Sequence, residues 1–179
     1  MAGILLRDGG ERLRVGKILA VGRNYAKHIE EMNAPRTGHP VIFLKPATAL
    51  VADGGEVPLP REAGQVHHEV ELVVVIGEPG KAIPAGSAMS HVLGYAVGLD
   101  MTLRDIQAEA KRRGDPWCVA KGFDGSAPVS SVAPRDAVGD GSGLEIGLDI
   151  NGERRQRGNT SQMLFGVAEL IAYLSLIHI

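Results

Sequence analysis

An α+β fold is what this sequence predicts, on three observations. Strand-like runs outnumber helical ones, the helices interrupt them at irregular intervals, and no stretch repeats. A succession of strand, helix and strand would require a regular alternation that the chain lacks. With 179 residues, 44% hydrophobic and 22% charged, there is enough chain for one domain with a core. The 24 glycines and 10 prolines predict many turns rather than disorder.

The elements follow in order. After a lead-in over residues 1–16, "KILAVG" (17–22) reads as a short strand running into a polar loop. "NYAKHIEEM" (24–32) reads as a helix capped by Asn24. "PVIFLKP" is a strand pinned by prolines at both ends, and "EVELVVVIG" is the longest strand, closed by the turn "GEPG". "HVLGYAVGLDMT" (91–102) is a strand punctuated by glycines, and "LRDIQAEAKRRG" (103–114) a helix with Gly114 past its end. "LEIGLDINGERRQRG" alternates apolar residues up to Asn151 and Gly152, the strongest hairpin signal in the chain. "NTSQMLFGVAELIAYL" reads as one capped helix with an apolar face. "GDGSGLEIG" has the glycines of a phosphate loop, but a strand follows it, so no helix N-terminus is offered to a phosphate.

Charge and cysteine content narrow the function classes. A net charge of −2 gives no field for holding nucleic acid or an acidic membrane surface, and "KRR" (111–113) and "RRQR" (154–157) read as solvated faces. The single cysteine, Cys118, excludes an intramolecular disulfide framework and suits a reducing compartment; a small buried hydrophobe is its expected fate. No stretch has the length of a membrane span, and the first residues meet charge too early for a secretory signal. A soluble cytoplasmic protein is expected, with no nucleic-acid or membrane partner.

Chemistry gathers around "HHEVELVVVIG" (67–77). In a strand Glu69 and Glu71 share a face, and two like charges side by side repel. Either that face is wet, or something positive sits between them. Asp100 lies where the next long strand runs out, so pairing of the two strands would set three carboxylates around one point. Oxygen-only ligation of this kind suits Mg²⁺ or Mn²⁺. His28 and Glu31 lie three apart on the expected helix, where a carboxylate orients an imidazole, although taken in isolation they read better as a solvated helix face. Arg104 and Gln107 are spaced alike on the helix after Asp100. Lys45 and Lys121 each follow apolar residues and read as lysines held at a strand or loop end.

Five motifs, in this order, resemble the fumarylacetoacetate hydrolase family: "GRNYAKHIEEM", "PVIFLKPATAL", "HHEVELVVVIG", "GYAVGLDMTLRDIQAEAKRRGDPWCVAKGFDGSAPVS" and "LDINGERRQRGNTSQMLF". The resemblance runs from about Lys17 to Leu174 and is nearest to the acylpyruvate hydrolase and oxaloacetate decarboxylase branch. It implies a mixed β-roll or β-sandwich with peripheral helices, usually a homodimer. It implies that Glu69, Glu71 and Asp100 bind Mg²⁺ or Mn²⁺, that His28 and Glu31 activate water, and that Lys121 is the active-site lysine. Arg23, Tyr25, Arg104 and Gln107 match its substrate contacts, the substrate being a small 2-oxo acid. Cleaving the C–C bond next to the keto group leaves an enolate, which a Lewis acid stabilises, so acylpyruvate hydrolysis and oxaloacetate decarboxylation share one electron sink.

Two other readings stand beside this one. An isomerase or hydratase of 2-hydroxymuconate-type acids would keep the metal without needing the dyad, and an inactive module would need neither. The end of the chain gives weight to the second of these: the family continues with strands that contact the substrate carboxylate, whereas this chain stops at "LSLIHI". The catalytic domain is therefore expected to span 17–174 and to lack its C-terminal strands, with residues 175–179 not native sequence and both solubility and activity reduced.

Overall fold

Residues 3–6, 12–25, 38–61 and 64–179 are described by the computed structural model. In chain order the strands are β1 (Gly3–Leu5), β2 (Arg12–Arg14), β3 (Ile18–Gly22), β4 (Val41–Lys45), β5 (Leu50–Ala52), β6 (Val66–His67), β7 (Val70–Ile76), β8 (Val92–Leu99), β9 (Thr102–Leu103), β10 (Ala127–Val129), β11 (Ala133–Pro134), β12 (Glu145–Ile150) and β13 (Glu153–Asn159). The helices are α1 (Arg104–Arg113), α2 (Cys118–Lys121), α3 (Arg135–Val138) and α4 (Val167–Leu174), with 3-10 turns at Ala47–Ala49, Ala85–His91 and Thr160–Gln162. Strands and helices mix without alternation, so the α+β class holds. Among the described residues no helix is long and apolar enough to cross a membrane.

The contacts gather around two centres rather than one. The first compact unit comprises Met1–Ala20, Phe43–Val73 and Val97–Val132, and the second Val21–Ile42, Val74–Ala96 and Ala133–Ile179.

In the first unit, β1 and β2 pair antiparallel, so the expected lead-in is a hairpin. Leu6 bridges Val132, whose amide donates to Leu5. β10 runs parallel to β5, from Ala127 opposite Leu50 to Val129 opposite Ala52, and Val129 also faces Gly98. Gly98 is required there, because a Cβ would come within 2.7 Å of Val73. β6 pairs antiparallel with β9, setting His67 opposite Thr102. Ala49, Leu103, Ala120, Val129 and Val132 are buried in this unit. α1 ends as the sequence predicts, with Gly114 left-handed at φ 76° and its amide returned to the last turn. Cys118, expected to be buried, is exposed instead: it opens the one-turn α2, whose inward face is taken by Ala120 and Lys121.

In the second unit, β12 and β13 form the expected hairpin. Asn151 and Gly152 both have positive φ, 52° and 81°, the pair that a tight turn matching the strand twist requires. β11 pairs with β8 at Tyr95 and Gly94. Ile146, Val92, Tyr95, Val167 and Ile171 are buried here.

The single helix expected over "NTSQMLFGVAELIAYL" is two elements. Asn159 caps the 3-10 turn by accepting from Ser161 at 2.9 Å, and Met163 then turns extended. The next amides do not return to the preceding turn: Leu164 donates to the Asn24 carbonyl at 2.7 Å and Phe165 to Asn24 Oδ1 at 2.9 Å. Asn24 Nδ2 donates in turn to the Phe165 carbonyl at 3.0 Å. α4 begins afresh where Glu169 accepts from the Gly166 amide at 2.9 Å. Asn24, expected as a helix cap, thus gives its side chain to Phe165, and residues 26–32 of the helix it was to cap lie outside the described residues.

The last five residues are joined to the second unit by hydrogen bonds. Ser175 is fully buried, its Oγ accepts from the Ile83 amide at 2.9 Å, and Gly80 and Ile179 exchange backbone hydrogen bonds at 2.8 and 2.9 Å.

Candidate metal centre and active site

Short backbone contacts in the first unit bring the acids together. The Asp100 amide donates to the Glu69 carbonyl at 2.8 Å, where the chain leaves β8 and approaches β7. The β6–β9 pair and the Arg104 amide, which donates to the Gln65 carbonyl at 2.7 Å, continue that seam to the start of α1. Glu69 precedes the first residue of β7 and Glu71 lies within it, so only one of the two acids is a strand residue.

Lys121 closes α2 and is 2% exposed. Its Nζ donates to Glu69 Oε2 at 2.6 Å, Asp100 Oδ2 at 2.5 Å and Thr102 Oγ1 at 2.8 Å, which uses all three protons of an ammonium. The same Nζ lies 5.1 Å from the centre of the Phe43 ring. The other oxygen of Glu69, Oε1, accepts from Arg104 Nη2 at 2.5 Å. Arg104 also donates to Gln107 Oε1 at 2.7 Å, as their spacing on α1 predicts, and to His67 Nδ1 at 3.2 Å.

These charges hold one another in unequal states. Burial alone would raise Glu69, but Lys121 and Arg104 outweigh it and hold the carboxyl at about 2. Glu71 is pushed up to about 8 by burial and by the charges of Asp100 and Glu69, with only partial relief from Lys121. Asp100 is raised too, because burial exceeds what Lys121 and Lys45 return. His67 is lowered by burial and by the Arg104 charge.

Thr102 and Ser126 carried no clear signal in the sequence, whereas Lys45 is where its reading as a lysine held at a strand end puts it. Lys45, 3% exposed, donates to the carbonyls of Ser126 at 3.0 Å, Met101 at 3.3 Å and Lys121, and stands 2.8 Å from Asp100 Oδ1. Thr102 and Ser126 are fully buried, and the Ser126 hydroxyl donates to the Lys121 carbonyl at 2.9 Å. A lysine following an apolar strand, as in "FLKP", and a hydroxyl two residues after an acid, as in "DMT", are the traces they leave.

The structure brings Glu69, Glu71, Asp100, Lys121, Arg104 and Gln107 together within the first unit. Arg23 and Tyr25 belong to the second. There Arg23 has a positive φ of 59° and a buried Nε without a hydrogen-bond partner among the described residues, and Tyr25 bridges Met163. His28 and Glu31 lie outside the described residues.

A family model for the C-terminal domain of fumarylacetoacetate hydrolase matches residues 17–177. The chain belongs to this family. It is 48% identical over 158 residues to the mitochondrial oxaloacetate tautomerase of Mus musculus, a match covering 88% of this chain and 72% of that one. It superposes with a TM-score of 0.90, at 41% identity, on fumarylpyruvate hydrolase from Pseudomonas aeruginosa in complex with Mn²⁺ and pyruvate, covering 98% of this chain and 78% of that one. A 5-carboxymethyl-2-hydroxymuconate delta-isomerase from Mycobacterium smegmatis matches with a TM-score of 0.80 at 39% identity, over 93% of this chain and 64% of that one. The fold is therefore the family's mixed fold, as the motifs imply.

For a member of the fumarylacetoacetate hydrolase family, the question is whether these acids suit a divalent ion. Among the described residues no three His, Cys, Asp or Glu side chains form a ready set of ligands, since the Lys121 ammonium stands between Glu69 and Asp100. The chemistry of the donors fits nonetheless. All three acids offer hard oxygen, Glu71 is driven toward its neutral form by burial and like charge, and Asp100 is raised by burial although Lys45 stands 2.8 Å from its Oδ1 and Lys121 2.5 Å from its Oδ2. A small divalent cation would favour the charged form of both raised carboxyls, Glu71 and Asp100.

Proposed function

We propose that the chain is a divalent-metal-dependent enzyme that cleaves a C–C bond of a small 2-oxo acid, by acylpyruvate hydrolysis or oxaloacetate decarboxylation. The observation that carries this reading is the buried meeting of Glu69, Glu71 and Asp100 with the Lys121 ammonium aimed at them from 2.5 and 2.6 Å. A fumarylpyruvate hydrolase of the same fold holding Mn²⁺ and pyruvate supports the ion and the class of product.

When bound, Mg²⁺ or Mn²⁺ would act as a Lewis acid toward the 2-oxo acid. Glu69, Glu71 and Asp100 would hold the ion, Glu71 as its carboxylate. Lys121 carries a proton beside the place where enolate charge develops, in a site with little water to screen it. Arg104, steadied by Gln107 and His67, presents a planar guanidinium suited to a carboxylate. Arg23 and Tyr25 contact the substrate, while His28, oriented by Glu31, takes the proton of the attacking water in hydrolysis. The enzyme works as a homodimer in the cytoplasm.

A second reading is favoured by the oxaloacetate tautomerase and the muconate isomerase among its relatives. Keto–enol tautomerisation or isomerisation passes through the same enolate but adds no water, so it does not need His28 and Glu31. Assays of acetylpyruvate hydrolysis, oxaloacetate decarboxylation and enol-oxaloacetate ketonisation, each with Mg²⁺, Mn²⁺ and chelator, test both. Turnover that chelator abolishes is expected in at least one assay. Cleavage lost in His28→Ala supports the first reading, and ketonisation unchanged by it supports the second. Metal-independent turnover, or none in any assay, contradicts both.

A further inference from the structure

Lys45 is a buried cation that the mechanism above does not use. It ends β4, and its Nζ reaches the carbonyls of Ser126 at 3.0 Å, Met101 at 3.3 Å and Lys121. Those carbonyls flank the two groups that matter most: Met101 follows Asp100, and Lys121 and Ser126 bound the turn that carries the Lys121 side chain. The two lysines also divide Asp100 between them, Lys45 at 2.8 Å from Oδ1 and Lys121 at 2.5 Å from Oδ2. An ammonium has three protons, and those of Lys45 are shared among three main-chain carbonyls and Asp100 Oδ1. With 3% exposure it is closed off from a substrate. Burying such a group is costly, and Lys→Met at a merely apolar position would be tolerated.

We propose that Lys45 is a positioning residue: it ties the end of β4 to the main chain beside Asp100 and Lys121, and so fixes the spacing between that carboxylate and that ammonium. What the spacing serves rests on the proposed function; the spacing itself does not.

The test is Lys45→Met in the full chain, read in two ways. Acetic anhydride labelling followed by mass spectrometry reports access to the Lys121 amine, with Lys17 and Lys81 as references in the same sample. Labelling of Lys121 about tenfold faster than in wild type, with the references unchanged, is expected once its turn is released. The second reading is Mn²⁺ affinity by titration calorimetry. Charge alone predicts tighter binding, because a repelling cation has gone. Lost positioning predicts the opposite sign, a weakening of about tenfold or more. Should Lys45→Met fail to fold, Lys45→Gln, which keeps an N–H donor for the carbonyls without the charge, takes its place with the same expected signs. Protected Lys121 in a folded variant, faster labelling at every lysine alike, or a raised KM with kcat intact would overturn the proposal. A wild-type protein that binds no Mn²⁺ would count against the proposed function instead, and the labelling result would still decide the role of Lys45.

Discussion

In the first unit, Lys121 meets Glu69 and Asp100 at 2.6 and 2.5 Å, with side chains 3%, 15% and 11% exposed. On the hairpin of the second unit, Arg157 meets Glu145 at 2.9 Å with side chains 69% and 56% exposed. The pairs are alike in distance and opposite in consequence. Water screens the hairpin charges, which gain little from pairing and lose little without it. The charges of the first unit have been taken out of water, each is stable only through its neighbours, and one of them, Glu71, is held up at about 8. Stability alone would favour apolar residues in such a place, so the buried cluster points to chemistry.

Lys121→Met should separate the two regions most widely. It leaves Asp100 and Glu69 buried without their shared cation, so urea denaturation of the metal-free protein should show a loss of about 3 kcal/mol. Turnover should fall by about a hundredfold or more, the usual scale for removing a donor aimed at developing charge. Glu71→Gln should move stability the other way. The unfolded carboxyl titrates near 4.5 and the folded one near 8, so between those values the folded protein holds the extra proton and stability falls as pH rises. The substitution removes that slope, and at about pH 9 the metal-free variant should be more stable than wild type by several kcal/mol, up to about 5. A stability profile without the falling limb in wild type would show that Glu71 is not held in its neutral form. The smallest effect belongs to the hairpin: Arg157→Ala should leave the melting temperature unchanged at any salt concentration. A clear drop would show that exposed pairs contribute here as buried ones do.

Local patterns carried most of the fold into view. Asn151 and Gly152 announce their hairpin because a turn with two positive φ values admits few residue types, and Gly114 announces the end of α1 for the same reason. The break between Gln162 and Val167 was hidden, because it depends on Asn24, distant in sequence, taking the Leu164 and Phe165 amides that a continuous helix would need. The division of contacts between two units is likewise set by packing between distant segments. At the site, the acids were legible from alternation and position in the strands, and Arg104 with Gln107 from helix spacing. Lys45 was legible only as a lysine at a strand end, and Thr102 and Ser126 were not legible at all, since burial of a polar side chain against other polar groups leaves no periodic trace. The dyad of His28 and Glu31 rests on the family motif, and its residues lie outside the described part of the chain.

Binding of Mn²⁺ to wild type and to Asp100→Asn, followed by electron paramagnetic resonance across a pH series, tests the central claim most directly. One tight ion per wild-type chain is expected, with affinity rising as pH climbs toward about 8, because Glu71 must release its proton to the solvent before it can serve as a ligand. The same titration of Asp100→Asn should show binding weaker by about a hundredfold. Equal affinity in the two proteins, or affinity indifferent to pH below 8, would contradict a metal centre built on Glu69, Glu71 and Asp100.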